Sequence, residues 1–438
     1  MGIYGALATA VTGMAAQSFA LENISGNIAN SQTTGYKRME TGFIDLIPDA
    51  AVGRQVPGAV LAYSRSTNDV RGDIITSPTG THVALNGSGF FVVAEKTGTS
   101  DGQSVFGDAN FYTRRGDFEM DREGYLRNGA GYYLKGVPID STTGNVSGSV
   151  PEMVKVGNGL IPAKATQRIN YALNLPAAPA GGLLSVLPTD PDFLNQTVEG
   201  GAITVYAPNG AAANVQLRWG KTGEADSTAV PPTLDEWQLF YLGETGWETV
   251  PNGEATFVDG TLNSVGWGTI NADGKIPPLA IANLGVNGVA VGNVDIDFGV
   301  GGLSQFDNAN GRAQVSTLAQ DGYPAGTFMS VAVNDSGRVV ATYSNGKQIE
   351  IYQLVTANFN AENQLKRLDG GIYSATAESG EAIISTEGGM TGGALESSNT
   401  DISEEFTKLI VTQQAYAAGT RIVSTADEML REALNMMR

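Results

Sequence analysis

The chain has 438 residues, more than one small core needs, which sets an expectation of about two to four domains. Acidic residues outnumber basic ones, 45 to 26, for a net charge of −19. Such a chain repels phosphate backbones and anionic headgroups, so no nucleic-acid partner and no membrane insertion are expected. It has no cysteine and one histidine, His82, which excludes disulfides, thiol nucleophiles, zinc–thiolate sites, iron–sulfur clusters and multi-histidine metal sites.

Glycine, at 57 residues, is nearly double the average usage of about 7% and points to many tight turns in a β-rich body. The first 36 residues carry one charged side chain, Glu22, and no cation before Lys37. The positive region of a secretory signal is therefore missing, and export would need a route without a cleaved signal peptide. Glycines and polar residues break every apolar run before about 18 residues, so no membrane span is expected. Met1-Gly2 begins no myristoylation signal, because Ala6 stands where Ser or Thr is needed.

Apolar residues then recur at alternating steps of four and three: Ile3, Leu7, Ala10, Met14, Leu21, Ile24 and Ile28, with Gln17 the one break. This a/d spacing predicts a helix over residues 3–29, about 40 Å long, that lays one seam against partner helices. Turn formers from Asn30 to Gly35 end it. Gly5, Gly13 and Gly26 each cost about 1 kcal/mol relative to alanine, so the helix is expected to be weak alone and stable only when packed.

The middle, residues 70–390, reads as strand and turn. Val83–Leu85 and Gly89–Val93 flank an Asn86-Gly87 turn. Phe111–Arg115 and Phe118–Met120 flank Gly116-Asp117. Phe328–Val333, Val339–Tyr343 and Gln348–Leu354, separated by Asn334–Gly337 and Asn345-Gly346, form an antiparallel meander. Residues 158–312 differ in texture. Pro176, Pro179, Gly181 and Gly182 mark a linker-like start, Gly299, Gly301 and Gly302 a glycine-rich end, and short strands such as Ile203–Ala207, Val215–Trp219 and Trp237–Leu242 lie between. This region is read as a β domain inserted into the first, with no repeat of fixed period.

A second long helix closes the chain. Asp401 and Glu404 have capping-box spacing. A seven-residue stripe follows: Ile402, Leu409, Tyr416, Val423, Leu430, Met437. Its heptad companions are Phe406, Gln413, Thr420, Asp427 and Leu434, three of them polar. Thr412, Gly419, Ala426 and Ala433 form a small-residue flank that permits close backbone approach. Arg431 and Arg438 sit in the last turns, where cations suit the helix dipole. Packing of each helix on its own domain is the plain alternative. Against it, each helix is about two to three times the mean length, and nothing helical lies between them.

Chemistry is sparse. Asp295-Ile296-Asp297 lacks the other oxygen ligands of a calcium loop. Asp121…Glu123 and Asp335-Ser336-Gly337 fit turns. Asn86–Gly89 has no following lysine, and no serine elbow or His-Glu motif occurs. His82 is placed to cap or pack at a strand start. No cofactor, metal or catalytic set is expected.

Asn27-Ile28-Ala29-Asn30-Ser31-Gln32-Thr33-Thr34-Gly35-Tyr36-Lys37 resembles the signature of bacterial flagellar rod and hook proteins, and Phe43–Ile47 resembles the F-x-D stretch that follows it. The resemblance continues through Leu85–Val93, Tyr112–Phe118, Gln320–Tyr323, Tyr343–Gly346, Ala394–Asp401, Gln413–Tyr416 and Asp427–Leu430. It covers about the first 155 and the last 120 residues. Two positions depart from the family pattern: Ala207, where an aspartate is usual, and Gly419, where asparagine is usual.

What the resemblance implies is a mainly β protein with helical termini, two β domains, one inserted in the other, carried on a coiled-coil-like helix pair. Its parts would be a helical inner-tube domain (1–30 with 398–438), an extended connector (31–75 with 388–397), a β domain (76–157 with 313–387) and an outer β domain (158–312). The length and the outer domain favour the hook members over the shorter rod members, with a distal rod protein as the nearest alternative. A secreted polysaccharide-acting enzyme and an adhesin-like binding module are alternatives of other classes. A hook member is expected to polymerise helically outside the cell, in the flagellum, and to transmit torque while bending. By resemblance its other partners are the distal rod, the hook cap, the hook-length control protein and the hook–filament junction protein. The assembly residues would be Ile3, Leu7, Met14, Leu21, Ile24 and Ile28 on the first helix. On the last they would be Ile402, Phe406, Leu409, Tyr416, Val423, Leu430 and Leu434, with Asn27, Asn30, Thr34, Gly35 and Tyr36 as the family motif between. The terminal helices are expected to be disordered in the free monomer, with hinges near 30–75, 155–180 and 299–312.

Overall fold

A computed structural model describes residues 3–46, 59–100, 102–140, 143–157, 159–226, 228 and 233–436. Ile47, Met437 and Arg438 of the sequence patterns above lie outside the described residues. Strands dominate, with one long helix at each end, Ile3–Ala29 and Ile402–Met436. The chain divides into two compact units: residues 1–158, 329–342 and 348–438 form the first, and 159–328 with 343–347 the second.

In the first unit the two long helices run side by side. A Cβ built on Gly419 would lie 2.6 Å from Met14 Cγ. Thirteen residues further along the first helix, Asn27 bonds to Glu405, fourteen residues back along the second. The helices are therefore antiparallel, and the two contacts span about 20 Å of each. Asp401 caps the start of the second helix by accepting the N–H of Ser403 at 2.7 Å. The box is not closed from the other side, because the Glu404 side chain turns to Arg38 at 2.9 Å.

Beyond the first helix the chain makes a hairpin, Met39–Leu46 with Ala59–Ser66, paired residue for residue. Asn23 pins it to the helix by donating to Thr41 Oγ1 and Ser64 Oγ, at 2.8 and 3.2 Å. Opposite Gly42 stands Tyr63, whose ring occupies the space that a side chain at Gly42 would fill. Ile74–Thr76 then pairs with Ala394–Glu396, bringing the two halves of the chain together ahead of the β body.

That body is one sheet made from both halves. Its order is Phe328–Val333, Arg338–Tyr343, Gln348–Leu354, Tyr133–Pro138, Phe90–Ala94, Phe111–Thr113, Ile372–Ser374, Lys366–Leu368. The first three are the expected meander, and Gly136 opposite Leu354 joins it to strands from the first half. Phe90–Ala94 is wholly buried, as its unbroken apolar run requires. Phe90 packs on Tyr373 with ring centroids 5.3 Å apart, and Tyr112 on Phe359 at 4.8 Å. Burial pushes the Tyr373 hydroxyl up to about 12.

The second unit stacks two sheets on one core. One is an antiparallel meander, Thr197–Tyr206, Ala212–Gly223, Asp235–Leu242, Trp247–Val258 and Thr261–Val265. The other orders Leu279–Val286, Val289–Asp297, Arg168–Asn174 and Leu303–Ser304, with Gln314–Gln320 on Arg168–Asn174. Trp219, Trp237, Tyr171 and Ile296 are buried between them. Tyr171 takes the Trp219 N–H at 3.2 Å and donates to the Gly200 carbonyl at 2.6 Å, so both of these buried polar groups are paired, whereas the buried Trp237 N–H has no hydrogen-bond partner among the described residues.

Two expected joints look different here. Gly299 and Gly301 take positive φ in a turn, and Gly302 accepts from Leu173 N–H at 2.8 Å, so residues 299–302 are held inside the second unit. The strand Gln314–Gln320, paired along Arg168–Asn174, carries that unit past residue 312 to 328. Ala207 stands in a turn to which it contributes backbone alone, its N–H on the Ala211 carbonyl and its carbonyl taking Gly210 N–H, while Asn209 Oδ1 accepts Ala211 N–H at 3.0 Å.

Candidate functional site where the chain ends converge

The segment from Asn27 to Lys37 ends the first helix and enters a buried polar network of the first unit. Asn30 Nδ2 donates back to the Gly26 carbonyl at 2.8 Å and its Oδ1 accepts from Thr33 Oγ1, which closes the helix end. Asn27 is buried and uses its whole amide. Its Nδ2 donates to the Met39 carbonyl and to Glu405 Oε2, both at 2.9 Å. Its Oδ1 accepts from Met39 N–H at 2.9 Å and from the Tyr36 hydroxyl at 3.3 Å. Two donors and two acceptors on one short planar group are what asparagine offers and aspartate or leucine does not. Glu405, also buried, takes Lys408 Nζ at 3.2 Å. Burial pulls Lys408 down, but Glu404 and Glu405 outweigh it and hold the amine above the usual lysine range.

Gly35 has φ +64°, gives its N–H to the Glu396 carbonyl at 2.8 Å and leaves no room for a Cβ, which would sit 2.8 Å from the Arg114 carbonyl carbon. Both conformation and space demand glycine there. Thr34 is half-buried beside it. The Tyr36 ring carries the Arg367 guanidinium over its face, 4.3 Å from the centroid.

Lys37 and Arg114 both reach Glu396, and all three side chains are 1% exposed. Lys37 Nζ also donates to the Val70 carbonyl at 2.7 Å, and Arg114 Nη1 to the Gly87 carbonyl at 3.0 Å. Glu396 Oε1 further accepts Gly72 N–H at 2.9 Å. Burial pulls the Lys37 amine below the usual lysine range against the attraction of Glu396. Glu362, half-buried near Arg114, is pushed above the usual carboxylate range by the same loss of water. Asn399 completes the closure, taking Arg38 N–H at 2.7 Å and donating to the Val70 carbonyl at 3.1 Å.

Sequence reasoning singled out Asn27, Asn30, Thr34, Gly35 and Tyr36, and the structure gathers them here. It missed the roles of Lys37, Arg114, Glu396, Asn399 and Glu405. One signal was available: Lys37 is the first cation after 36 residues holding a single charge, and a lysine in so apolar a setting needs an acid.

Of the proposed assembly residues on the first helix, Ile24 is buried and Leu7, Met14, Leu21 and Ile28 are half-buried. Ile3 opens the helix. On the last helix Glu405, Thr412 and Ala426 are buried and Gly419 meets Met14, so the small-residue flank is the face that meets the first helix. Leu409, Val423 and Leu430 are half-buried, whereas Ile402, Phe406, Tyr416 and Leu434 are exposed, Phe406 by 49% and Leu434 by 66%. Ile410, Val411, Ile422 and Met429 are exposed with them.

The carboxylates considered for chemistry have structural work. Asp121 accepts the N–H groups of Glu123 and Tyr125, each at 2.9 Å, and Asp335 accepts Gly392 N–H at 3.0 Å. Asp297 accepts Gly299 N–H at 2.9 Å. His82, just before the Val83–Leu85 strand, shares Nδ1 with Ser77 Oγ at 2.8 Å. Among the described residues no group of three or more His, Asp or Glu is placed to hold a metal ion, and no helix is long and apolar enough to cross a membrane.

Three family models match in chain order. They are Flagella basal body rod protein over residues 7–37, Flagellar hook protein FlgE/F/G D1 domain over 84–169, and Flagellar basal body rod FlgEFG protein C-terminal over 391–436. The first and last fall on the two segments that converge at the junction. The chain belongs to the family of bacterial flagellar rod and hook proteins. Within that class, relatives that match it over its full length include hook proteins. The flagellar hook protein of Brucella suis biovar 1 (strain 1330) is 29% identical over 447 residues, covering 100% of both chains. That of Escherichia coli (strain K12) is 28% identical over 437 residues, covering 98% of this chain and all of the other. A solved flagellar hook protein of Helicobacter pylori shares the fold, with a TM-score of 0.50 at 13% identity over 75% of this chain and 99% of that one.

Proposed function

We propose that this chain is a structural subunit of the flagellar hook and polymerises into a flexible helical tube that transmits torque from rod to filament. The observation that carries the reading is the C-terminal helix. It is docked by its small-residue flank, while Phe406, Ile410, Val411, Tyr416, Ile422, Met429 and Leu434 face outward. A 35-residue helix held in place at its base and greasy on its free side has apolar surface to bury that none of the described residues covers. At about 25 cal/mol per Å² of apolar area, several hundred Å² covered by neighbouring copies contributes several kcal/mol per subunit. The contact is between different faces of successive copies, so it propagates instead of closing.

The assembly residues are those of the two helix seams, and the junction at Asn27–Lys37 fixes how the helices enter the tube. We further propose that the tube meets the distal rod, cap, length-control and junction proteins at its ends, and that the subunit acts outside the cell without enzymatic activity. Electron microscopy of purified protein at rising concentration tests this. Curved, bendable tubes are the expected result. Straight rigid tubes favour a rod role, and a chain that stays monomeric at every concentration overturns the proposal.

A further inference from the structure

Beside the junction lies a cleft of about 230 Å³, between the turn that follows the first helix (Asn30, Thr33, Tyr36) and the residues Arg115, Arg367 and Gly370. Arg115 is occupied: its Nε and Nη2 donate to the two oxygens of Asp117 at 3.2 and 2.6 Å. Arg367 is not. Its guanidinium rests over the Tyr36 ring and gives Nη1 to the Lys37 carbonyl at 3.0 Å. Among the described residues it forms no ion pair, although Asp369 also lines the cleft. The group is thus held in place, with hydrogen-bonding capacity left over and, among the described residues, no acid paired to it.

A guanidinium fork fits a carboxylate with two parallel hydrogen bonds, and one already held on an aromatic face loses little freedom in making them. The source of that carboxylate follows from charge. Each copy carries −19, so copies repel one another unless acids of one meet cations of the next. Arg367 stands at the base of both terminal helices, the part of the subunit that must approach its neighbours if the assembly reading above, on which this inference rests, is right. We infer that the Arg367 cleft receives an aspartate or glutamate carboxylate from an adjacent copy of this chain, an inter-subunit ion pair seated on Tyr36.

The test uses purified full-length protein. Arg367→Gln is expected to raise the concentration needed for polymerisation about tenfold, and raising sodium chloride from about 50 to about 300 mM should weaken wild-type assembly more than that of the variant. Arg367→Lys gives a second readout that does not depend on stability. Isotopically light and heavy copies are mixed, polymerised and treated with a zero-length carbodiimide. The introduced amine should then couple to an acid on a copy of the other mass. Coupling confined to one copy, as to Asp369, or no coupling in formed polymer, overturns the inference, as does an Arg367→Gln protein that assembles at the wild-type concentration with the wild-type salt dependence. Failure of the wild type itself to polymerise overturns the assembly reading, and this inference with it.

Discussion

Asn27 and Glu405 are 378 positions apart in sequence, and the asparagine Nδ2 lies 2.9 Å from the glutamate Oε2, both side chains shut away from water. This bond ties the end of the first helix to the first turn of the last. Asn27→Asp keeps the shape but replaces the two donors with a carboxylate facing a buried carboxylate. It should destabilise the joined ends by about 3 kcal/mol, more than Asn27→Ala, which removes the bonds without adding charge. Helicity at 222 nm during thermal unfolding measures this, because the two terminal helices hold nearly all the helix among the described residues. Equal losses for the two variants would refute the electrostatic account.

Glu396 serves two buried cations at once, and its loss should expose one of them. Glu396→Gln leaves Lys37 and Arg114 in a dry site without a carboxylate, at a cost of about 3–5 kcal/mol. Trypsin reads the result directly. No lysine or arginine precedes Lys37, and in the wild type Lys37 is covered, so cleavage should start at exposed sites such as Arg71, Arg421 and Arg431. The variant should lose its first helix by early cleavage after Lys37. If Lys37 is cut as fast in the wild type, the ion cluster does not hold the ends together in the monomer.

Much of the fold was readable from sequence because the periodicities were clean. Heptad spacing located both long helices, and turn dipeptides such as Asn345-Gly346 located the meander Phe328–Leu354. The junction was readable only in part. Gly35 and Asn27 stood out through a resemblance, but Glu396 reaches Lys37 across 359 positions and Arg114 across 282, and nothing local marks such pairing. The last helix poses a different problem. Hydrophobicity ranks Phe406 and Tyr416 above Thr412 and Gly419, yet two helices joined closely at their base bring backbones together where side chains are small. The apolar stripe and the small flank are both visible in the sequence; which of them the first helix takes depends on that close approach.

Gly419 and Met14 should behave as one unit. Gly419→Ala in an exposed helix would gain about 1 kcal/mol, but here the new Cβ falls 2.6 Å from Met14 Cγ, too near the backbone to move freely. The single variant should therefore stabilise the helices less than propensity predicts, or destabilise them. Combined with Met14→Ala, which vacates the space, the alanine should recover its helical advantage. A double-mutant cycle on thermal unfolding should give a coupling of about 1 kcal/mol. Strict additivity would mean that the helices are not in contact at this point.

Acid should loosen the second unit through Asp321. Burial pushes this carboxyl up, but the N–H groups of Arg168 and Gln167 and the Lys164 amine, 3.1 Å away, outweigh it and hold it below the usual aspartate range. A carboxyl held low in the folded state stabilises above its unfolded value of 3.8, and that contribution disappears as pH falls through the lower folded value. The bonds it makes clamp the start of Arg168–Asn174, the strand that both Val289–Asp297 and Gln314–Gln320 pair with. All four tryptophans, Trp219, Trp237, Trp247 and Trp267, lie in the second unit, so their emission follows its unfolding and not that of the helices. Asp321→Asn should lower the tryptophan-detected midpoint at pH 7 by about 2–4 °C, the equivalent of about 1 kcal/mol for the bonds to a charged acceptor. As pH falls below 3.8 and on through the lower folded value, the wild type should lose that margin and converge on the variant. A margin that stays constant across this range would show that Asp321 acts through shape and not through its charge.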